Sequence, residues 1–170
     1  AVWKINPLQM QSDIVLQQKG DGQLLSEPQI AFEGVQEGFA GTSHPNAGIL
    51  TPSGYWFVDN RANKVYRLGE KVDEVSAYDF HFFKNNLSFC TSKECYDEKG
   101  EDGNHYSLGW DPRYNRFLIT KYDGQKCDSW TYSFRPGEQG GWISLHSYIP
   151  QDYLWDRENL YSIAGSQLWR

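Results

Sequence analysis

Apolar residues in this chain come in short runs separated by Gly, Asn, Asp and Pro, and stretches such as Ala47-Gly48-Ile49-Leu50 are among the longest that go uninterrupted. Short runs bounded by turn formers predict β-strands rather than helices. Besides the strands that flank the turns described below, the pattern predicts strands at Phe80–Phe83, Leu87–Cys90, Trp130–Phe134 and Trp142–Tyr148. In the last of these, Trp142, Ser144, His146 and Tyr148 alternate with Ile143, Leu145 and Ser147, the period of a pleated strand. The first part of the chain differs: Gln9, Gln11, Gln17, Gln18, Gln23, Gln29 and Gln36 punctuate its short apolar stretches. Residues 1–47 are therefore expected to be irregular, with about two short strands, and residues 48–170 to form a β domain.

Within the β domain one pattern recurs. Tyr55-Trp56-Phe57-Val58 leads into Asp59-Asn60-Arg61-Ala62-Asn63-Lys64, and Leu108-Gly109-Trp110 leads into Asp111-Pro112-Arg113-Tyr114-Asn115-Arg116. Both contain Asp-x-Arg-x-Asn, then a base, then apolar residues. A shorter copy, Tyr153-Leu154-Trp155 followed by Asp156-Arg157-Glu158-Asn159, has one residue fewer between Asp and Asn. The chemistry is that of a tight hairpin turn. Asp59, Asp111 and Asp156 can each accept backbone N–H groups two residues on, Pro112 presets φ, and Asn63, Asn115 and Asn159 tolerate the left-handed conformation. The Asp residues are 52 and then 45 positions apart, close to the roughly 40–50-residue spacing of propeller blades. The fold class expected is all-β, with about three propeller-like strand–turn–strand blades forming an incomplete propeller. Three units leave unpaired sheet edges that a closed ring would hide.

Composition agrees with sheets: aromatics are 16% of residues and Gly numbers 16, against a single Met. The formal charge of −6 gives no general attraction to nucleic acid or to an anionic membrane, and no run approaches the roughly 20 apolar residues of a membrane span. Residue 1 is Ala rather than Met, which implies processing or cutting and leaves open that the chain is a fragment. Three cysteines, Cys90, Cys95 and Cys127, cannot all pair within one chain, and a reducing compartment at folding is expected.

No set of residues converges on catalysis. Asp59, Asp111 and Asp156 are explained by their turns, and the stretch around Asp123 and Asp128 lacks the spacing of sialidase turns. Cys90, Cys95, His105 and Cys127 do not follow zinc-site spacing. Asp97, Glu98, Glu101 and Asp102 lack the alternating ligands of a calcium loop and read as a solvated segment between Lys93 and Asn104. Gly38–His44 has no Lys after it and is not a phosphate loop. No catalytic residue, metal or cofactor is expected. Exposed rings on a blade rim can stack on sugars, and Trp110, Trp130, Trp142 and Trp155 are the candidates for such contacts.

Gly48–Leu68, Leu108–Thr120 and above all Trp142-Ile143-Ser144-Leu145-His146-Ser147-Tyr148-Ile149-Pro150 carry a resemblance. Together they resemble the tail stabilisation or muzzle-type structural proteins of crAss-like bacteriophages, with D-P-x-x-N-R turns and a W-x-S-x-H-S-Y-x-P segment. The resemblance covers about the C-terminal two thirds, and members of that family are much longer. It implies a non-enzymatic structural component of the virion tail, assembled in the bacterial cytoplasm, homo-oligomeric and in contact with other tail proteins. A carbohydrate-binding module recognising host surface glycans is the alternative, and a propeller glycoside hydrolase the second alternative.

Overall fold

The computed structural model describes residues 3–4, 29–30, 40–42, 44–69, 72–89, 104–123, 128–137 and 140–170. The chain divides into two units, residues 1–41 and 42–170. In the first, β1 (Trp3–Lys4) pairs antiparallel with β2 (Gln29–Ile30). The second begins before the expected boundary, because Ala47 already accepts the Val58 N–H at 2.9 Å and so extends the first sheet.

The second unit is all-β in architecture: three antiparallel sheets, each a simple meander of consecutive strands. The first sheet holds β3 (Gly48–Thr51), β4 (Gly54–Asp59), β5 (Lys64–Leu68) and β6 (Val72–Glu74). The second holds β7 (His105–Asp111), β8 (Arg116–Tyr122), β9 (Trp130–Arg135) and β10 (Gly141–His146). The third holds β11 (Asp152–Trp155), β12 (Leu160–Ala164) and β13 (Gln167–Trp169). β3 lies beside β7 and β7 beside β11, so the first strands neighbour one another as the inner strands of propeller blades do. The ring of blades is not closed among the described residues.

Strand alternation gives the second sheet two unlike faces. Tyr106, Leu108 and Trp110 on β7, with Phe117 and Ile119 on β8, point towards the first sheet and pack there against Trp56, Val58 and Val65. The Trp56 and Phe117 rings stack 4.2 Å apart and within 13° of parallel. The opposite face carries Ser107, Gly109, Thr120, Thr131 and Ser133 beside the buried Leu118, and its small groups leave room for a partner. Tyr153 of β11 fills it, its hydroxyl 2.7 Å from Thr120 Oγ1, and Ser107 donates to Asp152 at 2.9 Å.

Two sequence expectations are corrected between β6 and β7. Phe80–Phe83 begins not a strand but α1 (Phe80–Asn86), and Leu87–Phe89 continues from the helix as turn and coil. Aromatic residues favour strands only as far as neighbours accept them there. Here Phe83 and Leu87, one helical turn apart, reach the same core, and Phe82 packs its ring 4.8 Å from Tyr132 and 5.0 Å from Trp130. The buried Lys121 ammonium donates to the Asn86 and Ser88 carbonyls at 3.1 and 2.6 Å, and the Trp130 indole donates to Asn86. These donors satisfy carbonyls that the end of a helix leaves free. Cys90 lies outside the described residues. The predicted strand Trp142–Tyr148 ends at His146, and a register shift between Trp142 and Ser144 interrupts its alternation.

The seat of Tyr153 yields a first expected result. A β-carbon at Gly109 would stand 2.7 Å from the ring of Tyr153. Gly109→Ala should therefore lower stability by about 1–3 kcal/mol through overpacking. Hydrogen exchange should show the loss concentrated in β11 and β12; protection that falls equally in β4 and β5 would contradict this seat.

Candidate functional site

The three repeated aspartates act as the turn chemistry requires. Asp59 Oδ1 accepts the N–H groups of Arg61 and Ala62, both at 3.0 Å. Asp111 Oδ1 accepts those of Arg113 and Tyr114 at 3.1 and 3.3 Å, and Asp156 Oδ1 those of Glu158 and Asn159 at 2.8 Å. These backbone hydrogen bonds hold the Asp156 carboxyl below its ordinary range. Asn63 and Asn115 take φ of 55° and 50°, the left-handed conformation, at the last position of their four-residue loops. Asn159 is not among the residues with positive φ, because its loop carries one residue fewer between Asp and Asn.

One aspect of the repeat is corrected by the topology. The Asp59 turn joins the second and third strands of its sheet, whereas the Asp111 and Asp156 turns join the first and second. The recurrence marks a hairpin chemistry used three times, not one position in successive blades.

Of the four tryptophans expected at a rim, Trp110 is buried in the core facing the first sheet, where no sugar reaches it. Trp130 and Trp142 pack against that core, with indole N–H groups donated to Asn86 and Val75 carbonyls at 3.1 and 2.9 Å. Trp155 lies at the surface, 37% exposed. The structure does not bring the four together on one surface. Cys95, Cys127 and residues 93–103 lie outside the described residues. Among the described residues no group of three or more His, Cys, Asp or Glu side chains gathers as for a metal, and no helix is long and apolar enough to cross a membrane.

A cleft of about 590 Å³ opens instead between the second and third sheets. The Asp111–Arg116 turn forms one wall and β12 with the end of β13 the other; Tyr148–Pro150, which links β10 to β11, also lines it. Tyr114 and Trp169 are more than half exposed here, and Tyr148 is 40% exposed. Arg116 Nε donates to Asp111 Oδ2 at 3.0 Å while its guanidinium lies 4.9 Å from the Tyr114 ring centre. The Arg113 guanidinium lies over the same ring at 5.7 Å. Arg170 Nε donates to Asn159 at 2.9 Å. Burial raises the affinity of the Tyr148 hydroxyl for its proton, against the opposing pull of Arg116. The sequence signal for this site was present in Arg113, Tyr114 and Arg116, but those residues also read as a turn, and Trp169 belongs to no repeat.

His146 sits behind this wall, its ring 5.2 Å from that of Tyr148. Its Nε2 is buried and finds no hydrogen-bond partner among the described residues. Desolvation first, and the Arg116 charge second, hold its pKa below the ordinary histidine value. The unfolded chain takes up this proton near pH 6.5 while the folded one resists it. Its contribution to stability is therefore complete above about pH 6.5 and lost as pH falls towards the lower folded value. Urea midpoints should fall between pH 7.5 and 5, with a shallower fall in His146→Gln; identical slopes in the two proteins would remove His146 from this role.

No family model matches the chain, and no match is found among curated proteins or solved structures.

Proposed function

We propose that the chain is a non-catalytic structural module of a bacteriophage tail, which assembles with other virion proteins by adding sheets to its stack. The observation that carries this reading is the outer face of the third sheet. Tyr153, Ser162 and Trp169 share the face turned to the second sheet and the cleft, and strand alternation puts Leu154, Tyr161, Ile163 and Leu168 on the other, with Asp152 at its start. Leu154 and Leu168 are each more than half exposed. A sheet with large apolar side chains on both faces suits a partner on both. The first and second sheets already bury their facing sides in this way, so a further sheet would continue an existing mode of packing. The Trp142–Pro150 segment that resembles phage tail proteins supports the same reading through its place in the fold. It forms the last strand of one blade and the passage to the next, with Trp142 bonded to Val75 and Pro150 in the cleft wall.

The test is immunogold electron microscopy of purified phage particles with antibody raised against this chain. Label at the tail is the expected result. Antigen found free while particles stay bare overturns the reading.

A further inference from the structure

The cleft between the second and third sheets has a composition of its own, independent of how the chain assembles. Its volume of about 590 Å³ lies in the range of small-molecule sites. Flat rings come from both walls: Tyr114 from the turn after β7 and Trp169 from β13. Their exposure, 56% and 58%, is a cost in water that a ligand with a flat apolar face would relieve.

Charge narrows the ligand. Among the side chains that line the cleft, Arg113, Arg116 and Arg170 outnumber Asp111 and Glu158 by one charge, on a chain of formal charge −6. Asp111 is committed to Arg116 and to two backbone N–H groups. Neither Arg113 nor Arg170 has an ion pair with a carboxylate among the described residues. A guanidinium fork matches a carboxylate or sulfate with two parallel hydrogen bonds. The turn that carries Arg113 and Tyr114 is fixed before any ligand arrives, since Asp111 clamps both of their backbone N–H groups. Such pre-ordering reduces the entropy lost on binding.

We propose that this cleft binds an acidic saccharide, with sugar rings against Tyr114 and Trp169 and the acidic group on Arg113 and Arg170. A saccharide presents what the walls accept: an apolar ring face, an anion at its edge, and hydroxyls within the reach of polar groups such as Asn159 and Ser162, which also line the cleft. The residues differ from the tryptophans that the sequence pattern singled out, and Trp169 is the only tryptophan among those lining the cleft.

Isothermal titration of the 170-residue chain tests this with trigalacturonic acid, 3′-sialyllactose and a sulfated galactose trisaccharide, against galactotriose and lactose as neutral partners. At least one acidic saccharide should bind saturably and at least tenfold more tightly than its neutral counterpart. Arg113→Gln and Trp169→Ala should each weaken it roughly ten- to a hundredfold, the scale of a lost hydrogen bond to a charged group. Both positions are exposed, and unchanged thermal midpoints would establish that the variants fold. The proposal fails if no acidic saccharide binds, if the neutral ones bind equally well, or if binding survives both substitutions. ATP binding in place of any saccharide, with the same sensitivity to the two variants, would assign the cleft to a nucleotide instead.

Discussion

Trp56→Ala is expected to lower the unfolding free energy by about 3–5 kcal/mol, the usual cost of removing a large buried ring. The indole is fully buried, stacks on Phe117 of the second sheet and meets Phe134 edge-on at 5.4 Å. Its Nε1–H donates to Thr51 Oγ1 at 2.9 Å, so the ring also ties β4 to β3. Alanine would leave a void between two sheets whose strands cannot close it without breaking their own ladders. The urea midpoint should drop with the slope m unchanged, and the thermal midpoint should fall on the order of 10–20 °C. Trp56→Phe should cost less, because stacking is retained while the hydrogen bond is lost. A loss below about 1 kcal/mol for Trp56→Ala, on the scale of a surface substitution, would mean that the first and second sheets do not share a core. Trp155→Ala, at a partly exposed ring outside the core shared by the first two sheets, gives the comparison.

Legibility in the sequence followed the range of the forces involved. Hairpin turns are decided within six residues, and the Asp-x-Arg-x-Asn pattern was enough to place the turns at Asp59 and Asp111 and the left-handed Asn63 and Asn115. Strands of aromatic and β-branched residues, such as Trp130–Phe134, were equally plain. The helix at Phe80–Asn86 was hidden because its aromatic residues favour strands locally. What makes it a helix lies far away, in the Trp130 and Tyr132 rings and the Lys121 ammonium. The fate of each tryptophan was hidden for the same reason. Alternation says that Trp110 faces one side of its sheet, but only the position of the first sheet says that this side is covered. The cleft was the least legible feature, since it joins a turn of the second sheet to the last strand of the third and no local pattern connects Tyr114 to Trp169.

Tyr153→Ala should have the second large effect, of about 3–5 kcal/mol, and a different distribution. Between the first two sheets many rings share the burden, whereas around the Tyr153 seat the face of the second sheet towards the third offers Ser107, Gly109, Thr120, Thr131 and Ser133, with Leu118 beside them. Tyr153 is the one large buried hydrophobic residue of the third sheet among those described. Burial and the neighbouring Tyr148 hydroxyl keep its own hydroxyl protonated throughout the ordinary pH range, as a donor or acceptor with Thr120. Tyr153→Phe keeps the ring on Gly109 and gives up one hydrogen bond, which is expected to cost about 1 kcal/mol. Tyr153→Ala gives up the seat itself. Hydrogen exchange in that variant should show β11, β12 and β13 opening while β4, β5, β7 and β8 keep their protection, since the Trp56–Phe117 stack is untouched. Saccharide binding should disappear with the docking, because the cleft needs both walls, whereas Tyr153→Phe should retain it. If all three sheets lose protection together in Tyr153→Ala, the second unit folds as one cooperative body and Tyr153 is part of a single core. If only the third sheet opens, the chain is a stack whose members dock one at a time through one large side chain, a design that would let a further sheet be added on Leu154, Tyr161, Ile163 and Leu168 without disturbing the first two.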